Sequence, residues 1–227
     1  MVGIMEKIVI SLGGSVLLAD NVKSSYYTEL KKLLLSQKDK KIFVIVGGGP
    51  PARNYITRAR SLNISEYLLD SIGIAVTRVN ALFLASQLQE TIYTIPHSVQ
   101  EAVQSNQQIV VMSGTSPGHS TDFVGAELAS ETHADLFVIA TNVDGVFDSD
   151  PRKYEDARLF STISAQELLK KYGSAWNAAG SNMVVDGPAL QKIHDEHINT
   201  VVINGSNIDT IQNVLRHQSF HGTTITV

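Results

Sequence analysis

The sequence predicts an α/β protein, a three-layer αβα sandwich with a mostly parallel central sheet, and three observations carry that prediction. Four short apolar runs each pass straight into a loop of Gly, Ser, Thr, Asn or Asp: residues 7–11 into Leu12-Gly13-Gly14-Ser15, 42–46 into Gly47-Gly48-Gly49-Pro50-Pro51, 109–112 into 113–122, and 136–140 into 141–150. Runs of this length without polar alternation are the pattern of strands buried on both faces. Segments of helical spacing separate the strands, which implies βαβ crossovers. At 227 residues, 43% apolar and 18% charged, the chain can bury a sizeable core.

The elements follow in order. Residues 24–37 have helical spacing (Tyr27, Leu30, Leu34) after a serine start. Residues 51–62 follow the triple glycine as a helix that opens on proline, a favoured first-turn residue. Residues 66–89 read as one long helix or a broken pair, with Leu69, Ile72, Val76, Val79 and Phe83 along one side and Gly73 as the candidate break. A short strand is expected at 91–95 and a short helix at 98–105. Thr121 and Asp122 are candidate caps for a helix running to Thr132. Ser164 and Glu167 fit a capping box. Helices at 186–196 and 207–217 flank a strand at 200–203, and the alternating residues 223–227 read as an edge strand. No linker interrupts this pattern, so one domain over 1–227 is expected. A soft boundary falls near 150–153, where a charged, proline-containing segment follows the fourth loop.

Composition narrows the function. A net charge of −4 argues against a general nucleic-acid binder while leaving room for a local anion pocket. With no cysteine there is no disulfide, thiolate zinc site or cysteine nucleophile. No apolar stretch is expected to reach the roughly 18 residues of a membrane span. A start that runs directly into a strand containing Glu6 and Lys7 is unlike a signal peptide, so a cytoplasmic setting is expected.

The loops point to phosphate. Glycine lets backbone N–H groups approach a phosphate closely, a following helix adds its positive end, and loops at the carboxyl ends of parallel strands are where open sheets hold ligands. Gly47-Gly48-Gly49-Pro50-Pro51-Ala52 formally matches a dinucleotide fingerprint, with Asp70 about twenty residues on, but residues 65–70 look helical where that fingerprint needs a strand end. No P-loop signature occurs. In the segment 144–150 the order of glycine and acids is wrong for a calcium loop. A β-turn or a nucleotide loop remains, with Asn142 and Asp150 as hydrogen-bonding groups and Phe147 as a flat face. His194 and His197 are a possible metal pair, or a solvated helix end. His119 lies inside the third loop. Arg53, four residues after Gly49, is placed at a helix start to meet phosphate oxygens.

Taken together, six segments resemble the amino acid kinase superfamily, and within it the archaeal-type uridylate (UMP) kinase branch. They are Gly13-Gly14-Ser15 with its flanks, Val46-Gly47-Gly48-Gly49, Asp70-Ser71-Ile72-Gly73-Ile74 running on to Ala81, Gly114-Thr115-Ser116-Pro117-Gly118-His119-Ser120-Thr121-Asp122, Thr141-Asn142-Val143-Asp144-Gly145-Val146, and His221-Gly222-Thr223-Thr224. The resemblance implies phosphoryl transfer from ATP to UMP with Mg²⁺, in the supply of pyrimidine nucleotides, by a homo-oligomer built as a hexamer of three dimers. It implies ATP at Gly14, Ser15, Gly49, Arg53, Thr141, Asn142, Phe147 and Asp150. It implies UMP at Gly48, Asp70, Thr115, Ser116, Pro117, Gly118, His119, Ser120 and Thr121, with Asp70 at the ribose. Arg53 and Asp186, which follows Gly180-Ser181-Asn182, would face the reacting phosphates. The UMP lobe would cover roughly 1–135 and the ATP lobe roughly 136–227. No metal-ligand set is implied. Two positions depart from the pattern: Ser11 stands where many members carry lysine, and Phe147 where tyrosine is frequent. On that view Arg53 and Mg²⁺ carry the missing charge, and losing the Ser11 hydroxyl is nearly silent for turnover. Other kinases of the same fold, acting on a carboxylate, carbamate or isoprenoid phosphate, and a non-catalytic nucleotide- or oxyanion-binding protein are the alternatives. Val46 before Gly47 counts against the isoprenoid phosphate kinases, which carry a histidine with this loop.

Overall fold

The structure, a computed structural model, describes residues 5–88, 94–175 and 184–227. Its strands are β1 (Glu6–Leu12), β2 (Lys40–Val46), β3 (Ile109–Met112), β4 (Leu136–Thr141), β5 (Thr162–Ser164), β6 (Thr200–Asn204) and β7 (Gly222–Thr226). They form one sheet in the order β3-β2-β1-β4-β6-β7-β5. The first five in that order run parallel, β7 is antiparallel to β6, and β5 is parallel to β7. The four strand-and-loop pairs read from the sequence are therefore four neighbouring strands, β3-β2-β1-β4, and their loops share one rim.

Alternate residues of each strand serve opposite faces, as the pleat requires. Ile8, Ile10, Leu12, Ile42, Val44 and Val46 pack with α2 (Ser24–Ser36), α4 (Glu66–Leu88) and α9 (Ile208–Leu215). Val9, Phe43, Ile45, Phe137 and Ile139 pack with α5 (Val99–Gln104), α6 (Thr121–Thr132), α7 (Ala165–Tyr172) and α8 (Gly187–Asp195). Two apolar cores on either side of one sheet make the three layers expected. Both halves of the chain contribute strands to that sheet, with β1 seated between β2 and β4.

Several boundaries differ for physical reasons. Residues 66–88 form one unbroken helix, and Gly73, which faces Ile56 of α3 (Gly49–Ser61), does not interrupt it because a single glycine inside a helix costs only about 1 kcal/mol. This 23-residue helix is long and apolar enough by composition to cross a membrane, which corrects the expectation that no stretch reaches that length. Scattered polar residues hid it, and here Leu69, Ala81, Leu84 and Ala85 are buried in the fold. The cap of α6 is Ser120, one residue before the expected Thr121 and Asp122; its hydroxyl accepts from the N–H of Phe123. The capping box at Ser164 and Glu167 is present. β7 is not an edge, because the unforeseen three-residue β5 pairs outside it. A four-residue helix, α1 (Gly14–Leu17), follows β1 at once. Of the strand expected at 91–95, residues 91–93 lie outside the described residues, and Thr94 and Ile95 are not in a strand.

Candidate active site

The first two glycine loops touch backbone to backbone. A Cβ placed on Gly14 would lie 2.3 Å from the nitrogen of Gly49 and 2.5 Å from the carbonyl oxygen of Gly47. Gly49 also has φ +60, the left-handed region that favours glycine. The strands hold this contact in register: Gly47 N–H donates to the Leu12 carbonyl at 2.9 Å, and Gly13 N–H to the Ala140 carbonyl at 2.9 Å. From the other side Asn80 of α4, 4% exposed, donates its amide to the carbonyls of Gly47 and Gly48 at 2.9 and 3.1 Å. Both partners can only accept, so the orientation of the amide follows from them. Arg53 is the fifth residue of α3 and donates to Ser15 Oγ at 3.1 Å.

The third loop brings Asp122 to Asp186, the N-cap of α8. Ser11, 1% exposed, donates to Asp122 Oδ1 at 2.6 Å. Burial pushes the Asp122 carboxyl up to about 7, with Asp186 adding to the shift and the Ser11 hydroxyl opposing it. Burial also raises Asp186, against hydrogen bonds from Ser120 and the N–H of Ala189 and the nearby His119. Ser120 thus caps α6 through its lone pair while giving its proton to Asp186. The loop is tied to α4 twice: Gly118 N–H donates to Asp70 Oδ2 at 2.7 Å, and Gly114 N–H to Thr77 Oγ1 at 3.1 Å. His119 stacks on Phe123 with ring centroids 4.3 Å apart.

These groups enclose a cleft of about 260 Å³. Of the residues proposed from sequence, it is lined by Gly14, Ser15, Gly48, Gly49, Arg53, Asp70, His119, Ser120, Thr121, Thr141 and Asp186. Thr115, Ser116, Pro117 and Gly118 do not line it but form the loop that Asp70 holds. A second cavity of about 300 Å³, with a more apolar wall, is lined by Val143, Val146, Phe147, Asp150, Leu168 and Leu190 among others. Val184 lines both, so the two are neighbours. Asn142 is exposed and lines neither. Gly180, Ser181 and Asn182 lie outside the described residues.

The competing motifs fare as follows. Asp70 belongs to a helix, so the dinucleotide fingerprint lacks its strand-borne acid. Among the described residues no group of three or more His, Cys, Asp or Glu is placed to hold a metal ion, neither at 144–150 nor at His194 and His197. Sequence reasoning missed the parts played by Asp122, Thr77, Asn80 and Val184. Thr77 and Asn80 left a signal: they are polar, three residues apart, and on the buried stripe of an otherwise apolar helix. Asp122 left little, since an acid in a first helical turn reads as dipole compensation.

A backbone-amide cleft with one buried acid, Asp186, and one half-buried, Asp122, beside an apolar cavity at the carboxyl rim of a parallel sheet, suits a phosphorylated ligand and a second, flatter one. The comparisons agree. Residues 6–204 match the model of the amino acid kinase family. A uridylate kinase of Thermoplasma volcanium is 43% identical over 212 residues, covering 92% of this chain and 93% of that protein. One from Methanobrevibacter smithii is 43% identical over 210 residues, 90% and 92% of the two chains. The crystal structure of uridylate kinase from Archaeoglobus fulgidus superposes with a TM-score of 0.84 at 38% identity, over 97% of this chain and all of that one. A UMP kinase structure from Ureaplasma parvum, at 24% identity and TM-score 0.80, shares the fold. The chain belongs to the amino acid kinase family and, within it, groups with the archaeal uridylate kinases.

Proposed function

We propose that the protein transfers the γ-phosphoryl group of ATP to UMP, giving ADP and UDP, as a cytoplasmic step in the supply of pyrimidine nucleotides. The observation that carries this reading is the pair of neighbouring cavities meeting at Val184, one walled by backbone amides and acids, the other by apolar side chains. In this reading the purine nucleoside of ATP occupies the second cavity against Phe147, with Asp150 and the nearby Thr141 and Asn142 available to its polar edges. Its phosphates extend over Gly14, Ser15 and Gly49 towards Arg53. UMP lies in the first cleft, its ribose at Asp70 and its base along Thr115–Thr121. In this reading the N-terminal part of the chain serves UMP and the ATP phosphates, and the C-terminal part serves the purine nucleoside.

The chemistry needs positioning and charge neutralisation more than covalent help. A phosphate oxygen of UMP attacks the γ-phosphorus, a P–O bond forms, and the bond to the β-bridging oxygen breaks in line. The Gly14–Gly49 contact fixes its amides before the substrates arrive, so they stabilise developing charge without reorganising. Arg53 adds a planar cationic fork at a helix start. Asp122 and Asp186 are oxygen donors of the type Mg²⁺ takes, and they would hold such an ion together with phosphate and water ligands. When bound with ATP, that ion would neutralise charge on the β- and γ-phosphates. We further propose a homo-oligomer, a hexamer of three dimers, for which the exposed Leu68, Val79 and Leu82 of α4 offer an apolar contact face.

A coupled assay of ADP release across UMP, CMP, acetylglutamate, carbamate and isopentenyl phosphate tests the reading. A preference for UMP over CMP of at least about tenfold in kcat/KM is expected, because exchanging a base's donor and acceptor leaves buried partners unpaired. Equal use of both, or turnover of another acceptor alone, rejects it.

A further inference from the structure

The second cavity owes its shape to a residue that does not line it. Thr223 in β7 is wholly buried, 0% exposed, and its hydroxyl makes two hydrogen bonds outside the sheet ladder. It accepts from the backbone N–H of Val146 at 2.9 Å and donates to the carbonyl of Phe160 at 2.6 Å. Val146 and Phe160 stand on opposite arms of the excursion between β4 and β5. The arms also bond to each other: Phe160 N–H donates to the Val146 carbonyl at 2.9 Å and Asp148 N–H to the Arg158 carbonyl at 3.0 Å. Phe147 and Leu159 form an antiparallel bridge between them.

Only a hydroxyl can accept from an N–H and donate to a carbonyl through one atom here. The fit is close: a Cβ on Gly145 would fall 2.5 Å from Thr223 Oγ1 and 2.9 Å from Leu159 Cδ1. Val146 and Phe147, next along the chain, line the cavity. The loops of the first cleft are tied to α4 instead, through Asn80, Thr77 and Asp70. The two halves of the site thus have separate anchors. His221 adds a weaker contact, its Nε2 3.7 Å from Asp144, but it is too exposed to fix the loop.

We propose that Thr223 is a positioning residue for the phosphoryl donor: its hydroxyl sets the depth of the 143–150 loop, and with it the affinity for the purine nucleotide, while leaving UMP affinity alone. This rests on the reading of the second cavity given above.

The test uses the full chain and two probes, β,γ-imido-ATP and UMP, each titrated by calorimetry and paired with steady-state kinetics. Thr223→Val keeps the shape and removes the hydroxyl. It should weaken the ATP analogue by about tenfold or more, the scale of an unpaired buried group, with UMP affinity held within about twofold. The KM for ATP should rise with kcat at saturating ATP nearly unchanged. Thr223→Ser should restore parental binding, and Gly145→Ala, which displaces the hydroxyl from the other side, should mimic Thr223→Val. Parental analogue affinity in Thr223→Val, an equal loss of UMP affinity, or a Thr223→Ser variant as weak as Thr223→Val overturns the proposal. If Thr223→Val does not fold, Gly145→Ala decides, and unchanged analogue affinity there overturns it. If the parent binds the analogue with this variant pattern but phosphorylates no UMP, the kinase reading falls and the role of Thr223 stands.

Discussion

At the level of single residues, the most consequential contact is the hydrogen bond from Ser11 to Asp122. A serine within an apolar strand looks like a neutral replacement for a cation. In the structure it is buried and spends its one proton on Asp122, a half-buried acid. Removing the Ser11 hydroxyl is therefore not expected to be silent for stability. Ser11→Ala should lower stability by about 1 kcal/mol, the typical worth of a buried hydrogen bond, and raise the Asp122 pKa further. The pH dependence has a definite sign. Asp122 titrates near 7 in the fold, against an ordinary value of 3.8. Between about pH 4 and 7 the folded protein keeps a proton that the unfolded chain releases. The stability tied to that proton is whole below this window and is lost as pH rises through it. Asp122→Asn still offers Ser11 an acceptor but never ionises. Melting curves at a series of pH values should show the variant gaining on the parent from about pH 4 to 7 and the gain levelling off above. A difference independent of pH would contradict the shift. Asp122 was hard to find in the sequence because its significance comes from a partner 111 positions away.

Among the elements, α4 carries more of the site than its composition suggests. Its apolar residues made it legible as a long helix. Its three contacts to the loops, at Asp70, Thr77 and Asn80, were not, because they join segments distant in sequence. Parallel strands were readable for the opposite reason: burial on both faces leaves continuous apolar runs, and glycine at a strand end marks a rim loop. β5 escaped because three residues hold no period, and β7 was misjudged as an edge because nothing local tells a strand who pairs outside it. Asn80→Asp tests the helix as an anchor. A carboxylate cannot donate to the carbonyls of Gly47 and Gly48 and would face two acceptors. Loss of those bonds should raise the KM for both nucleotides, by about tenfold or more if each bond is worth about 1 kcal/mol. A rise for one nucleotide only would mean that the glycine loop serves a single substrate.

Over the whole molecule, four adjacent parallel strands deliver their loops to one rim, an arrangement visible in the sequence as a repeated pattern once the strands are known to be neighbours. The order of the strands was not visible, since it depends on which crossover passes which face. The contact between Gly14 and Gly49 has a consequence for how the protein fails when heated. Two main-chain segments meet there without any side chain to change rotamer, and each is the direct continuation of a central strand. No partial loosening of the loops is available while β1 and β2 remain paired. Heat inactivation should therefore coincide with global melting: residual activity after brief heating and the loss of far-ultraviolet circular dichroism should follow one curve. Activity that vanished several degrees before the sheet did would mean that the two glycines part while their strands hold.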